Sequence, residues 1–172
     1  MARKKAGPKR RSECPLNASV EMLGDRWSLL IIRDMMLQGA RPYKTLLECY
    51  EGIATNILAD RLRKLAAYGI ITTKPDPSDG RRIIYLLTPK GIDLAPVLTE
   101  MALWAAAHED TGNQALIQQM RADKKNFLAG VRQRWATTLT PPIKTPSADT
   151  TPARLAHPAS ERARSERSRN PN

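Results

Sequence analysis

Residues 55–65, TNILADRLRKL, constrain the fold more than any other stretch of the chain. At about 100° per residue, Leu58, Leu62 and Leu65 fall within about 60° of one another on a helix. Asn56, Asp60, Arg63 and Ala67 fall opposite, and Lys64 belongs with this polar flank. A rod with one leucine stripe must lie on other apolar elements. It then holds an amide and a guanidinium away from that support. Taken alone, such a flank is what any solvated amphipathic helix shows, so its use depends on what surrounds it.

Upstream, Asn17 is a good cap for a first helix running through Val20 and Leu23 to Gly24. Asp25 can cap a second helix, Arg26 to Leu37, with Trp27, Leu30, Ile31 and Met35 inside and Gly39 as its stop. Arg41-Pro42 reads as an extended link and Tyr43 to Cys49 as a short third helix, with Cys49 in the core. Gly52 turns the chain into the opening stretch, which continues to Tyr68 and ends at Gly69. Ile70 to Lys74 and Arg81 to Leu87 are strand-like, joined by the turn-forming PDPSDG. On the returning strand Ile83, Tyr85 and Leu87 are expected to point inward. Ile84 and Leu86 are also apolar, so the last helix or a second subunit should cover the other side. Thr88-Pro89 caps a helix to about Ala107, kinked near Pro96. A final amphipathic helix over 113–136 carries Leu116, Met120, Phe127 and Val131 on one side.

The succession of helix, short helix, turn, helix and hairpin predicts a winged helix-turn-helix, mainly α with a small antiparallel β-hairpin and with extra terminal helices for dimerisation. In this arrangement the first residues of the second helix meet a major groove. Thr55 and Asn56 are therefore placed for base edges, and Arg63 for a base or a phosphate. Lys44 is expected near the DNA backbone, and Arg81 and Arg82 at the hairpin tip near phosphates or a minor groove. The formal charge of +11 agrees with a polyanionic partner. It is uneven, however: residues 1–13 carry +5, residues 137–172 carry +3, and only +3 remains between. Residues 1–13 read as a disordered basic arm, 14–108 as the DNA-binding domain, and 137–172 as a disordered tail rich in Pro, Thr and Arg.

Three spacings carry a family likeness: Gly-x-x-Trp from Gly24, Tyr-x-x-Leu from Tyr43, and Tyr-x-Leu-Thr-x-x-Gly from Tyr85 to Gly91. Each is weak alone, but their order and separations are specific. Over Cys14 to His108 the chain resembles the HxlR family of winged-helix transcription regulators, relatives of the MarR type. The resemblance implies dimeric, site-specific DNA binding and control of nearby genes. It also implies a Ser or Thr opening the recognition helix, where this chain has Ala54. Either Thr55 takes over as cap or the first turn is weaker by about 1 kcal/mol. Cys14 sits where the family often carries a cysteine, which in some members senses oxidants. By its own surroundings it reads as a plain residue before the first helix, since Lys9, Arg10 and Arg11 lie on a solvated arm.

Leu94, Leu98, Met101 and Trp104 recur at coiled-coil spacing and form the expected seam of a homodimer. An intramolecular core stripe is the alternative. An enzyme is not expected: His108 and His157 are the only histidines, no nucleophile accompanies them, and no phosphate loop or metal spacing occurs. Cofactors are expected to be none. No apolar run reaches the roughly 20 residues of a membrane span, and a cytoplasmic location follows. The expected partners are double-stranded DNA and a second copy of the chain; a small-molecule or redox effector is compatible with the residues but not specified by them. The function expected is a repressor reading a pseudo-palindromic operator. The rivals are a sequence-indifferent nucleoid-type binder and a winged-helix protein-interaction module.

Overall fold

The computed structural model describes residues 12–48 and 52–139. The basic arm up to residue 11, Cys49 and the tail from residue 140 lie outside these residues. Eight helices and three strands follow in order among the described residues: α1 (Pro15–Leu23), α2 (Arg26–Gln38), β1 (Arg41–Pro42), α3 (Tyr43–Leu47), α4 (Thr55–Ala67), β2 (Ile71–Pro75), β3 (Ile83–Leu87), α5 (Pro89–Ile92), α6 (Ala95–His108), α7 (Gln114–Ala122) and α8 (Lys124–Leu139).

The leucine stripe of α4 is the centre of the core. Leu58 and Leu65 are fully buried and Leu62 nearly so, in one cluster with Ile31, Ile32, Met35 and Met36 of α2, Leu46 of α3 and Val131 of α8. The apolar side of α2 is thus one residue away from the expected stripe: Ile32 and Met36 join Ile31 and Met35, while Leu30 is half-buried. Asp25 does cap α2, accepting hydrogen bonds from the Trp27 and Ser28 amides. Helix α1 begins earlier than expected. Pro15 occupies its first position, where a missing N–H costs nothing, Cys14 is the N-cap, and the Asn17 side chain donates to Glu21 instead of capping.

The hairpin has a third strand. Arg41 and Pro42 pair antiparallel with Tyr85 and Ile84, giving the order β1-β3-β2. The facing on β3 is opposite to expectation over most of its length. Ile84 and Leu86 are buried with Leu87, whereas Ile83 is exposed and Tyr85 half-buried. With five consecutive apolar residues, alternation does not mark a face, and neighbouring elements decide. One of those is α8, as expected for a covered wing: the Trp135 indole N–H donates to the Leu87 carbonyl at 2.9 Å, and Lys74 Nζ donates to the Thr138 carbonyl at 2.7 Å.

Two expected long helices are each divided. Thr88 caps α5 through the Gly91 amide, but the helix stops at Ile92 and α6 restarts at Ala95. Pro96 has no N–H for the Ile92 carbonyl, so the expected kink becomes a break. The helix expected over 113–136 breaks at Asp123, whose backbone leaves the helical conformation (φ −151°) and whose carboxylate accepts the Asn126 amide. Asp123 therefore starts α8 as its cap. Helix α8 continues to Leu139, past the expected start of the tail.

Candidate nucleic-acid interface

Helices α3 and α4 form the helix-turn-helix pair. The Tyr43 hydroxyl donates to the Thr55 carbonyl at 2.7 Å, tying the start of one helix to the start of the other. This gives the Tyr-x-x-Leu spacing a physical meaning: Tyr43 bridges outward, while Leu46, one turn on, is buried. Helix α4 opens with Ala54 as N-cap and no side-chain hydrogen bond, so Thr55 is the first helical residue and not the cap. The amides of the first turn are left for another acceptor.

Asn56 and Arg63 are exposed on α4, away from the buried leucines; Thr55 is exposed at the open first turn of that helix, and Lys44 is exposed on α3. Arg63 is three-quarters exposed and paired with Asp60 at 3.2 Å. Lys64 departs from the expected flank. It turns back to Asp25, at 3.4 Å, beside Arg61 at 3.1 Å. Position 64 lies between the buried and presented sides of the rod, and a long side chain there reaches the fixed carboxylate at the start of α2.

Asp25 was legible as a helix cap but not as the anchor of α4. Burial disfavours its charge, yet hydrogen bonds from the Ser28 hydroxyl and amide and the Trp27 amide, with the Arg61 charge, prevail. They hold its pKa at about 2 against the usual 3.8. A depressed carboxylate pKa gives stability that is fully present above about pH 4 and lost as pH falls through about 2. Between pH 5 and 2, urea unfolding of the wild type should therefore lose about 1–2 kcal/mol more than that of Asp25→Asn, allowing for partial exposure. Equal losses in the two proteins would rule out this role.

At the wing tip the PDPSDG turn is held by its own aspartates. Asp76 accepts from the Ser78 amide and hydroxyl, and Asp79 accepts from the Arg81 amide. Arg81 and Arg82 project outward, with side chains 96% and 70% exposed. The wing is thus a rigid turn carrying two guanidiniums.

The expected dimer seam divides. Leu94 and Leu98 are half-buried and pack on the chain's own core, because the break before α6 turns that side inward. Met101 and Trp104 are exposed, and so is Val97, which sequence spacing had passed over. Leu16 and Val20 of α1 are exposed as well. His108 closes α6 with its ring 5.2 Å from that of Trp104. Cys14 is an exposed free thiol. A cavity of about 600 Å³ among the end of α2, α7 and α8, bordered by Leu37, Phe127 and Arg134, includes none of the outward side chains of α4 or the wing. Among the described residues no group of three acidic, His or Cys side chains could hold a metal ion, and no helix is long and apolar enough to cross a membrane.

The HxlR-like helix-turn-helix family model matches residues 22–113. The chain is 36% identical over 88 residues to the HTH-type transcriptional regulator sll1512 of Synechocystis, covering 51% of this chain and 64% of that protein. It therefore spans somewhat less than two thirds of that relative. It is 34% identical over 93 residues to the HTH-type transcriptional regulator YodB of Bacillus subtilis strain 168, covering 54% of this chain and 82% of YodB. The crystal structure of PA1607, a proposed transcription factor, superposes with a TM-score of 0.55 at 32% identity, covering 60% of this chain and 71% of that one.

Proposed function

The chain belongs to the HxlR-like helix-turn-helix family, and on that footing we propose that it is a dimeric, sequence-specific DNA-binding transcriptional regulator of the cytoplasm, a repressor that acts by occupying a promoter. Its relatives are transcriptional regulators and not enzymes. The observation that carries the reading is the exposure of Asn56 and Arg63 on a helix whose leucine side is buried, with Thr55 exposed at its first turn. A base-reading rod must be held this way, because a bidentate amide or guanidinium contact tolerates little motion. Asn56 suits adenine N6/N7 and Arg63 suits guanine O6/N7. Lys44, Arg81 and Arg82 supply backbone contacts that fix register. The uncapped first turn of α4 leaves amide donors for a phosphate oxygen.

The apolar surface left over supports a dimer. Val97, Met101 and Trp104 recur on one side of α6, and Leu16 and Val20 on α1. A second copy covering both would set two recognition helices into successive major grooves, about 34–36 Å apart, on a pseudo-palindromic operator.

The test is binding to duplex DNA from upstream of the protein's own gene, against a scrambled duplex. Asn56→Ala and Arg63→Ala should each cost about 1–3 kcal/mol on the true site and much less on the scrambled one. Equal losses on both duplexes would mark a sequence-indifferent binder. No loss on either would mean that α4 does not meet DNA.

A further inference from the structure

The outward guanidiniums are not bare. Arg63 Nη1 lies 3.2 Å from Asp60 Oδ1, while the other oxygen of Asp60 holds Arg61 Nη2 at 2.9 Å. Arg61 in turn reaches Asp25 at 3.1 Å. Charges therefore alternate, acid and base, from the fixed start of α2 to the presented side of α4. On the wing, a single carboxylate serves two arginines. Asp79 lies 3.3 Å from Arg82 Nε and 3.6 Å from Arg81 Nε, and the Arg81 amide holds it in place.

A carboxylate within 4 Å of a guanidinium cancels most of its field at the range where a phosphate first feels it, because salt screens whatever remains beyond about 8–10 Å. A DNA phosphate must then compete with an acid already in place, and the acid repels the backbone in its own right. Non-specific affinity grows with the number of phosphates neutralised, so each such acid subtracts from it. A true site is affected less, since its base contacts depend on direction as well as charge. The pairs favour that direction too, as Asp60 joins Arg63 to the anchored Arg61. We infer that Asp60 and Asp79 are specificity-determining residues, two carboxylates that occupy the DNA-facing arginines and so weaken the protein's hold on arbitrary sequence. The inference rests on the DNA-binding reading above.

The test uses the full-length chain and its Asp60→Asn and Asp79→Asn variants. Both changes are nearly isosteric, and the first position is half-exposed. Affinity is measured for the upstream duplex and a scrambled duplex across a salt titration. Each variant should bind scrambled DNA on the order of 3- to 10-fold more tightly, with a salt slope steeper by about one. The preference for the upstream duplex should shrink accordingly. Unchanged or weaker binding to scrambled DNA overturns the inference. So does a variant that merely loses affinity for the upstream duplex, which is what a purely structural role for Asp60 would give. If the wild type prefers the upstream duplex and the variants keep that preference in full, this inference fails and the functional reading stands. If the wild type shows no preference at all, both fail.

Discussion

Leu58→Ala is expected to lower the unfolding free energy by about 3–5 kcal/mol, measured by urea denaturation at neutral pH. Leu58 has no exposed surface, and its cluster draws on α2, α3, α4 and α8 together. Removing its branched end takes away the transfer energy of those carbons and leaves a space that four converging elements cannot easily close. Small domains have only about 5–15 kcal/mol of stability, so this single change removes a large share. Arg63→Ala on the opposite side of the same helix should alter stability by no more than about 0.5 kcal/mol. This contrast separates the two flanks of the rod: one supports the fold and the other is free for a partner. A loss below about 1 kcal/mol for Leu58→Ala would mean that α4 is not seated as described.

Gly91→Ala should destabilise by about 3 kcal/mol, against the usual trend for a helical glycine. In an ordinary helix alanine in place of glycine gains about 0.5–1 kcal/mol. Here a methyl group would collide with the Ile70 carbonyl oxygen and come within 3.1 Å of Leu87 Cδ2. The carbonyl has little room to retreat, since it accepts both the Thr88 amide at 3.0 Å and the Thr88 hydroxyl at 3.1 Å. That hydroxyl also caps the Gly91 amide, at 3.1 Å. Thr88 and Gly91 therefore act together to press α5 against the start of the hairpin. A melting temperature equal to or above that of the wild type would contradict this close approach.

The same pair shows how far the sequence can be read. Thr88-Pro89 was legible as a helix start because capping is local chemistry, confined to a few residues. So were Asp25 as a cap and the division of α4 into a leucine side and a polar side. The need for glycine at 91 was visible only as a family spacing, because the obstacle is a carbonyl about twenty positions away in the chain. The breaks after Ile92 and at Asp123 are hard to read from the sequence for related reasons. The apolar period runs across both, and only Pro96 and the capping ability of Asp123 hinted at interruption. On β3 the apolar run from Ile83 to Leu87 left its facing to be set by β1, β2 and α8. Thr55, Asn56, Arg63, Lys44, Arg81 and Arg82 are all exposed. Lys64 leaves the polar flank of α4 for Asp25, the cap of another helix, a contact that local pattern does not reveal. For the dimer seam, a repeat on α6 could not by itself distinguish core from interface. The fold packs Leu94 and Leu98 on the core and leaves Met101 and Trp104 exposed.

Hydroxyl-radical footprinting of the full-length protein on DNA upstream of its own gene tests the central claim most directly. Two protected patches related by a two-fold axis are expected, their centres about one helical turn apart, with protection lost in Asn56→Ala at a concentration where the wild type is saturated. Protection spread evenly along the duplex, or two patches that persist unchanged in Asn56→Ala, would contradict that claim.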